Sequence, residues 1–392
     1  MLPTRFGSFT SPLHRPGTDP HLLVKEDVRL AQSLDDLGYD EFWVGEHHSG
    51  GWATLSSPEL FIAAAAQHTR RIKFATGVLG MPYHHPFLVA ERAVLLDHLT
   101  DGRFILGAGS GAYQADMHIL GIDPATTRDR LAQALEVIQR LLAGEEVTAK
   151  TDWFEMNNAR VQISSVGDPI EMVVASAATP FSMQLAGRLG INAMSHVAPP
   201  WGAIRAGQDI GVDRLPGQWQ HLREAAGRAV DRANWRLVVP VHVSDSVAQG
   251  KQELFEGWAH QRIDLYKNTL GVPIPTSDAA QEKAFDYTVE QGGIILGSAE
   301  DCVRAITALA ERVNGFGGLL LSYQDWADAP ARQRSLELFA RQVMPRLKGQ
   351  LRGVEESQRW VGDRRDVFVK SNASGRAAQM TATPATEPAS DE

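Results

Sequence analysis

The chain carries a single cysteine, Cys302, in 392 residues. That excludes an intramolecular disulfide framework and any metal site built from several thiolates, and it fits a reducing compartment. Long apolar runs are also missing. No stretch reaches the roughly 18 residues that a membrane-spanning helix needs. The opening MLPTRFGSFT lacks the basic-then-apolar pattern of a secretory signal, so a cytoplasmic protein is expected. Nor is there an excess of positive charge. Lys and Arg number 38 against 47 Asp and Glu, for a net charge of −9 and a pI near 5.8. A surface of that sign argues against nucleic acid and against an anionic membrane as partners. The hydrophobic content of 43% leaves ample material for one large core.

Short apolar runs alternate with amphipathic segments along most of the length. That rhythm points to repeated βα units on a parallel sheet. Strands are expected at 5–9, 41–46, 72–80, 103–109, 170–176, 191–195, 235–243 and 318–322. Helices are expected at 21–37, 58–68, 86–99, 124–142, 180–189, 217–231 and 330–344. Eight strands alternating with helices predict an α/β fold of the (β/α)8 barrel type over residues 1–350. Residues 245–293 are about twice as long as a βα unit requires. Such an insertion after strand 7 lies over the active-site face, as a lid does, or forms an extra surface helix pair. The tail 351–392 is polar and small, with too little apolar content to pack, so disorder is expected at its end.

Glu46-His47-His48 closes the apolar run Phe42-Trp43-Val44-Gly45. A barrel delivers its chemistry at C-terminal strand ends, and three titratable groups in a row are costly to bury unpaired. Imidazole gains and loses a proton near physiological pH, which suits His47 to acid–base work. Glu46 is placed to orient that ring. Neighbouring residues of a strand face opposite ways, so His48 is expected on the other side from His47. Leu106-Gly-Ala-Gly-Ser-Gly111 is a weak dinucleotide signal, because it follows the fourth strand and no helix comes directly after it. Its glycines fit the close approach of a flat ligand better. In Val174-Ala-Ser-Ala-Ala-Thr-Pro180 a strand ends on hydroxyls, with Thr179 as an expected N-cap and Pro180 at the first helical position. Free amides there attract an anion such as phosphate. Arg128, early in the preceding helix, is a candidate second clamp. His84 and His85, in Met81-Pro-Tyr-His-His-Pro86, read either as site residues or as exposed loop rings. A metal-dependent barrel hydrolase is a further reading of His47, His48, His84, His85, His196 and His242, which all fall on or beyond expected strands, weakened by the absence of His-x-His spacing.

The chain resembles the bacterial luciferase-like, flavin-dependent monooxygenases. The resemblance is carried by FGSF, GYDEFWVGEHH, RIKFATGVLGMPYHHPFLVAERAVLLDHLTDGRFILGAGSG, ASAATP, GSAEDCVRAI and SLELFARQVMPRL, in that order over about residues 4–350. Its nearest likeness is to members that oxidise terpenes and cyclic ketones, such as limonene and diketocamphane monooxygenases. The resemblance implies a homodimer, reduced FMN delivered by a separate flavin reductase, O2 as co-substrate, and a small hydrophobic substrate. It implies His47 as the catalytic histidine beside Glu46 and His48. It implies a non-prolyl cis peptide at Gly77-Val78 behind the flavin ring. Arg128, Ser176 and Thr179 match phosphate contacts, with Ala177 beside them. Gly109 and Ser110 stand where luciferase itself has a reactive cysteine and a phosphate-binding arginine, so light emission is not expected and the phosphate grip is weaker. Some barrel relatives use a deazaflavin for hydride transfer, the alternative reading. A flavin-storage protein would need no acid–base group.

Overall fold

The computed structural model describes residues 1–11, 13–177, 179–198 and 212–382. Eight parallel strands close on themselves: β1 Arg5–Thr10, β2 Glu41–Val44, β3 Lys73–Thr76, β4 Phe104–Gly109, β5 Glu171–Ser176, β6 Asn192–His196, β7 Trp235–Val239 and β8 Gly318–Ser322. Each pairs with its neighbour in order, β1 pairs with β8, and β3 pairs with β4 to complete the ring. The expected barrel is therefore present. One residue from each strand (Phe9, Trp43, Ala75, Ile105, Val173, Met194, Val238, Leu320) forms a buried layer across the interior. Such a barrel is a packed core with its chemistry displaced to one rim.

Charges floor that layer toward the N-terminal strand ends. Arg236 is fully buried and donates to Glu41 at 2.8 and 2.9 Å and to Glu171 at 2.7 Å. Trp43 Nε1 donates to the same Glu41 carboxylate, and the guanidinium lies over the Trp43 ring. Both carboxylates are thus paired, as buried charge requires.

The helices α1 Pro20–Asp36, α2 Pro58–Ala66 and α3 Pro86–Leu99 each open with proline in the first turn behind a capping side chain, Asp19, Ser57 or His85. Next come α4 Gln114–Ile119, α5 Thr127–Leu142, α6 Phe181–Leu189 and α7 Leu215–Ala226. The insertion forms α8 Val247–Gln261, a π-helical turn over Arg262–Thr269, and α9 Asp278–Glu290. α10 Ala299–Arg312 and α11 Ala329–Leu338 complete the ring.

Four expectations need correction. The third strand breaks at Gly77-Val78, whose peptide is cis, and resumes as Leu79–Gly80 along the end of β4. The seventh breaks at Pro240, which has no N–H for a ladder, and Val241–Val243 pairs with Ile295–Gly297. Residues 112–123, read as loop, contain α4. Thr179 does not cap α6: Pro180 occupies that position and no side chain caps the helix. The chain divides into Met1–Lys348 and Gly349–Glu392. The second unit is helical over Arg352–Asp363 and Arg365–Ala382, with Trp360 against Phe368. Residues 383–392, where disorder is expected, lie outside the described residues.

Candidate active site at the C-terminal rim

A cavity of about 610 Å³ opens where β1 to β6 end. Its walls bring together Glu46, His47, Gly77, Val78, Gly109, Ser110, Arg128, Ser176, Ala177 and Thr179, which the sequence offers as candidates from five separate segments. His48 is not among the lining residues. A larger space of about 860 Å³ lies near the N-terminal starts of β5 and β6, beside Glu171 and Asn192, and holds none of these groups. Chemistry, not volume, picks the site.

His47 faces the cavity, stacked 4.0 Å from the Tyr113 ring. Its Nδ1 stands 3.5 Å from Asp116 Oδ2, just longer than a formed hydrogen bond, and has no closer partner. Asp116 is buried and also accepts from the His48 backbone N–H and the Ser49 hydroxyl. Burial pushes its carboxyl up, but the nearby His47 ring and the hydrogen bond from Ser49 outweigh burial and hold it below the usual carboxylate range. A fixed anion behind an imidazole orients the ring.

Glu46 does not perform that service, contrary to expectation. Its Oε1 accepts from His48 Nε2 at 3.1 Å and His84 Nε2 at 2.7 Å, while Oε2 accepts from the Gly80 N–H at 2.6 Å. Glu46 and His48 thus share one side and His47 takes the other. Glu46 ties the loop after β2 to the loop after β3. His85 caps α3, and His242 pairs with Glu253 at 2.6 Å, away from the cavity. Among the described residues no group of three or more His, Cys, Asp or Glu is arranged to hold a metal.

Beyond the ends of β3 and β4 the cavity wall is backbone. A Cβ on Gly109 would meet Val78 Cγ2 at 2.5 Å, and one on Gly77 would meet Trp43 Cβ at 2.9 Å. Only glycine fits there, which leaves a smooth face for a flat ring. At the other end, Ser176 Oγ is buried without a hydrogen-bond partner. Thr179 and the uncapped start of α6 stand beside it, and Arg128 lies exposed over the Phe181 ring at 5.8 Å. An unpaired buried hydroxyl costs free energy unless a ligand satisfies it. Hydroxyls, a helix start and a cation lining one cavity suit a phosphate. The residues present therefore fit a phosphorylated flavin.

Sequence reasoning missed Asp116 and Tyr83, and it weighed His196 only as a possible metal ligand. Tyr83 lines the cavity with its hydroxyl unpartnered, and burial, with Asp116 and Glu46 nearby, pushes its ionisation well above the usual phenol value. His196 ends β6, edge-on to Phe9. For Asp116, no periodic pattern around it marked a helix.

The luciferase-like monooxygenase family profile matches residues 4–313. A 4-hydroxyprotoasukamycin monooxygenase of Streptomyces nodosus subsp. asukaensis is 50% identical over 363 residues, covering 91% of this chain and 96% of the relative. A limonene 1,2-monooxygenase of Rhodococcus erythropolis is 40% identical, covering 88% and 87%. Among solved structures, the oxygenating constituent of 3,6-diketocamphane monooxygenase from Pseudomonas putida, in complex with FMN, superposes with a TM-score of 0.71 at 26% identity, covering 88% of this chain and 99% of that one.

Proposed function

The chain belongs to the luciferase-like monooxygenase family, and on that premise we propose that it uses reduced FMN and O2 to oxygenate a small hydrophobic substrate of terpenoid or cyclic-ketone type. One observation carries this reading. A single cavity holds a glycine wall, an unpartnered hydroxyl at a helix start with a cation beside it, and an imidazole backed by a buried carboxylate. Reduced flavin, when bound, supplies the electrons that activate oxygen.

The protein's own residues bind, orient and move protons. Arg128, Ser176, Thr179 and the amides around Ala177 hold the phosphate. Gly77, Val78, Gly109 and Ser110 bear the ring. His47 accepts and returns a proton during oxygen transfer, and Asp116 fixes its Nδ1. Glu46 holds His48 and His84, and so the two loops that frame His47. With serine at 110, the phosphate grip suits a flavin that is taken up and released each turnover. That supports a separate flavin reductase as partner, in the cytoplasm. No helix among the described residues is long and apolar enough to cross a membrane. The dimer reading rests on α2 and α3, which leave Leu60, Leu88, Leu95 and Leu99 exposed.

Titration with FMN, reduced FMN and a deazaflavin, followed by stopped-flow spectra with O2, tests this. Reduced FMN should bind and react with O2. Tighter deazaflavin binding with no oxygen reaction would replace oxygenation by hydride transfer. Stoichiometric metal without flavin binding would point to a hydrolase.

A further inference from the structure

We propose that His196 orients the organic substrate by hydrogen-bonding a ketone or hydroxyl oxygen, from the side of the cavity opposite His47. The inference rests on the flavin-monooxygenase reading above. It adds a substrate class: an apolar skeleton bearing one such oxygen.

His196 closes β6, which stands four strands from β2 whichever way the ring is followed. The two histidines therefore address one cavity from opposite sides. The His196 ring reaches toward β1 and meets Phe9 edge-on at 5.1 Å and 89°. Phe9 lines the same cavity. The groups assigned to the flavin stand on β3, β4 and β5 and their following segments, so β6 and β1 supply the remaining wall.

The ring's hydrogen bonding distinguishes it. His14, His48, His84, His242 and His260 each place a ring nitrogen on a carboxylate. Neither ring nitrogen of His196 has a hydrogen-bond partner among the described residues. His196 is half-buried and lines the cavity, so its unspent nitrogens are free to bond a ligand there. Its charge state also suits recognition. Burial, aided by the nearby Arg214 guanidinium, pushes the imidazole down to about 4. Arg214 is held in place, donating to the carbonyls of Ala177 and Val197 at 3.1 and 3.0 Å and also to that of His196. A neutral imidazole has one N–H donor and one acceptor nitrogen. It can donate to a ketone, or accept from a hydroxyl, without placing a charge in an apolar wall.

The test uses limonene and carvone, which share a carbon skeleton and differ by a ketone. Binding of each is measured by calorimetry to the FMN-loaded protein and to the protein alone. Wild type should bind carvone about 5-fold or more tightly than limonene, the range of one neutral hydrogen bond. His196→Phe keeps a ring against Phe9 and removes both nitrogens. It should erase that preference and leave the FMN dissociation constant within about 2-fold, while His196→Gln should restore part of the preference. No preference in wild type, or one retained in His196→Phe, overturns the proposal. A variant that loses FMN affinity but keeps the preference assigns the imidazole to the flavin instead, and also overturns it. If wild type fails to bind FMN yet prefers carvone, the flavin reading falls and the role of His196 stands.

Discussion

At the scale of the residue, the site turns on which carboxylate serves which imidazole. Glu46 is adjacent in sequence to His47 but is spent on His48, His84 and the Gly80 N–H. Asp116 takes its place, bonded to the His48 backbone across a separation of 68 residues. His47→Ala should therefore keep the fold and most FMN affinity while product formation drops roughly 100-fold or more, the usual size of an acid–base contribution. Asp116→Asn should lower turnover and reshape its pH profile with little change in flavin binding. Near-normal turnover in His47→Ala, with His48→Ala dead, would exchange the two roles. A second prediction concerns Arg128. A charge-assisted hydrogen bond contributes about 1.5–3 kcal/mol, so Arg128→Ala should weaken FMN about 10- to 100-fold. Riboflavin, which lacks the phosphate, should be far less affected. Equal losses for the two flavins in equilibrium titration would remove Arg128 from the phosphate site. His47, Ser176 and Arg128 were legible because each lies at a strand end or helix start, where position implies chemistry. Asp116 was not, since only the closed barrel brings it to the cavity, and His196 was legible as a strand-end histidine without its role.

Elements were easier to read than contacts. Barrel strands are buried on both faces and appear as continuous apolar runs, which is why all eight could be placed. The breaks at Gly77-Val78 and Pro240 were hidden inside such runs. The hairpin Val147–Lys150 with Glu155–Ala159 left no signal, having only scattered buried residues. The insertion was legible by length alone. Its helix α8 sits tightly on the segment after β8: a Cβ on Gly257 would strike the Trp326 backbone. Gln261 also accepts from Trp326 Nε1 at 2.9 Å. The segment is thus anchored at α8, while Leu265 of the π-helical turn packs with Leu13 and Trp52 near the loops after β1 and β2. Helix α2 raises a different expectation. Ala65 is buried and Ala64 exposed, on the helix that also exposes Leu60. Small residues there allow a second helix to approach closely. Ala64→Arg should convert the proposed dimer to monomers, measured by light scattering at micromolar concentration, without loss of helical signal. A monomeric wild type under the same conditions would refute the pairing.

For the molecule as a whole, the ring must close between its first and last strands, and a buried charge cluster sits over that seam. His14, in the segment after β1, holds Asp27 of α1 through Nε2 at 3.1 Å and Asp325, after β8, through Nδ1 at 3.0 Å. Arg332 of α11 pairs with the same Asp325 at 2.7 Å, and the His14 backbone N–H donates to the Trp52 carbonyl. Burial pushes the His14 imidazole down, but its bonds to Asp27 and Asp325 outweigh burial and raise it to about 9. An imidazole in the unfolded chain titrates near 6.5. Below that pH, His14 is protonated whether folded or unfolded, so its ion pairs contribute in full. Above it, the unfolded chain sheds the proton while the folded one keeps it, and folding must increasingly supply that proton. The contribution therefore shrinks from about pH 6.5 upward and is gone once the pH passes about 9. Burial pushes the Asp27 carboxyl up, against the pull of His14. Urea midpoints of wild type and His14→Gln, compared at pH 6, 7.5 and 9.5, should differ most at pH 6 and converge at pH 9.5. A gap that stays constant across the three would mean that His14 closes the seam by packing and neutral hydrogen bonds, not by charge.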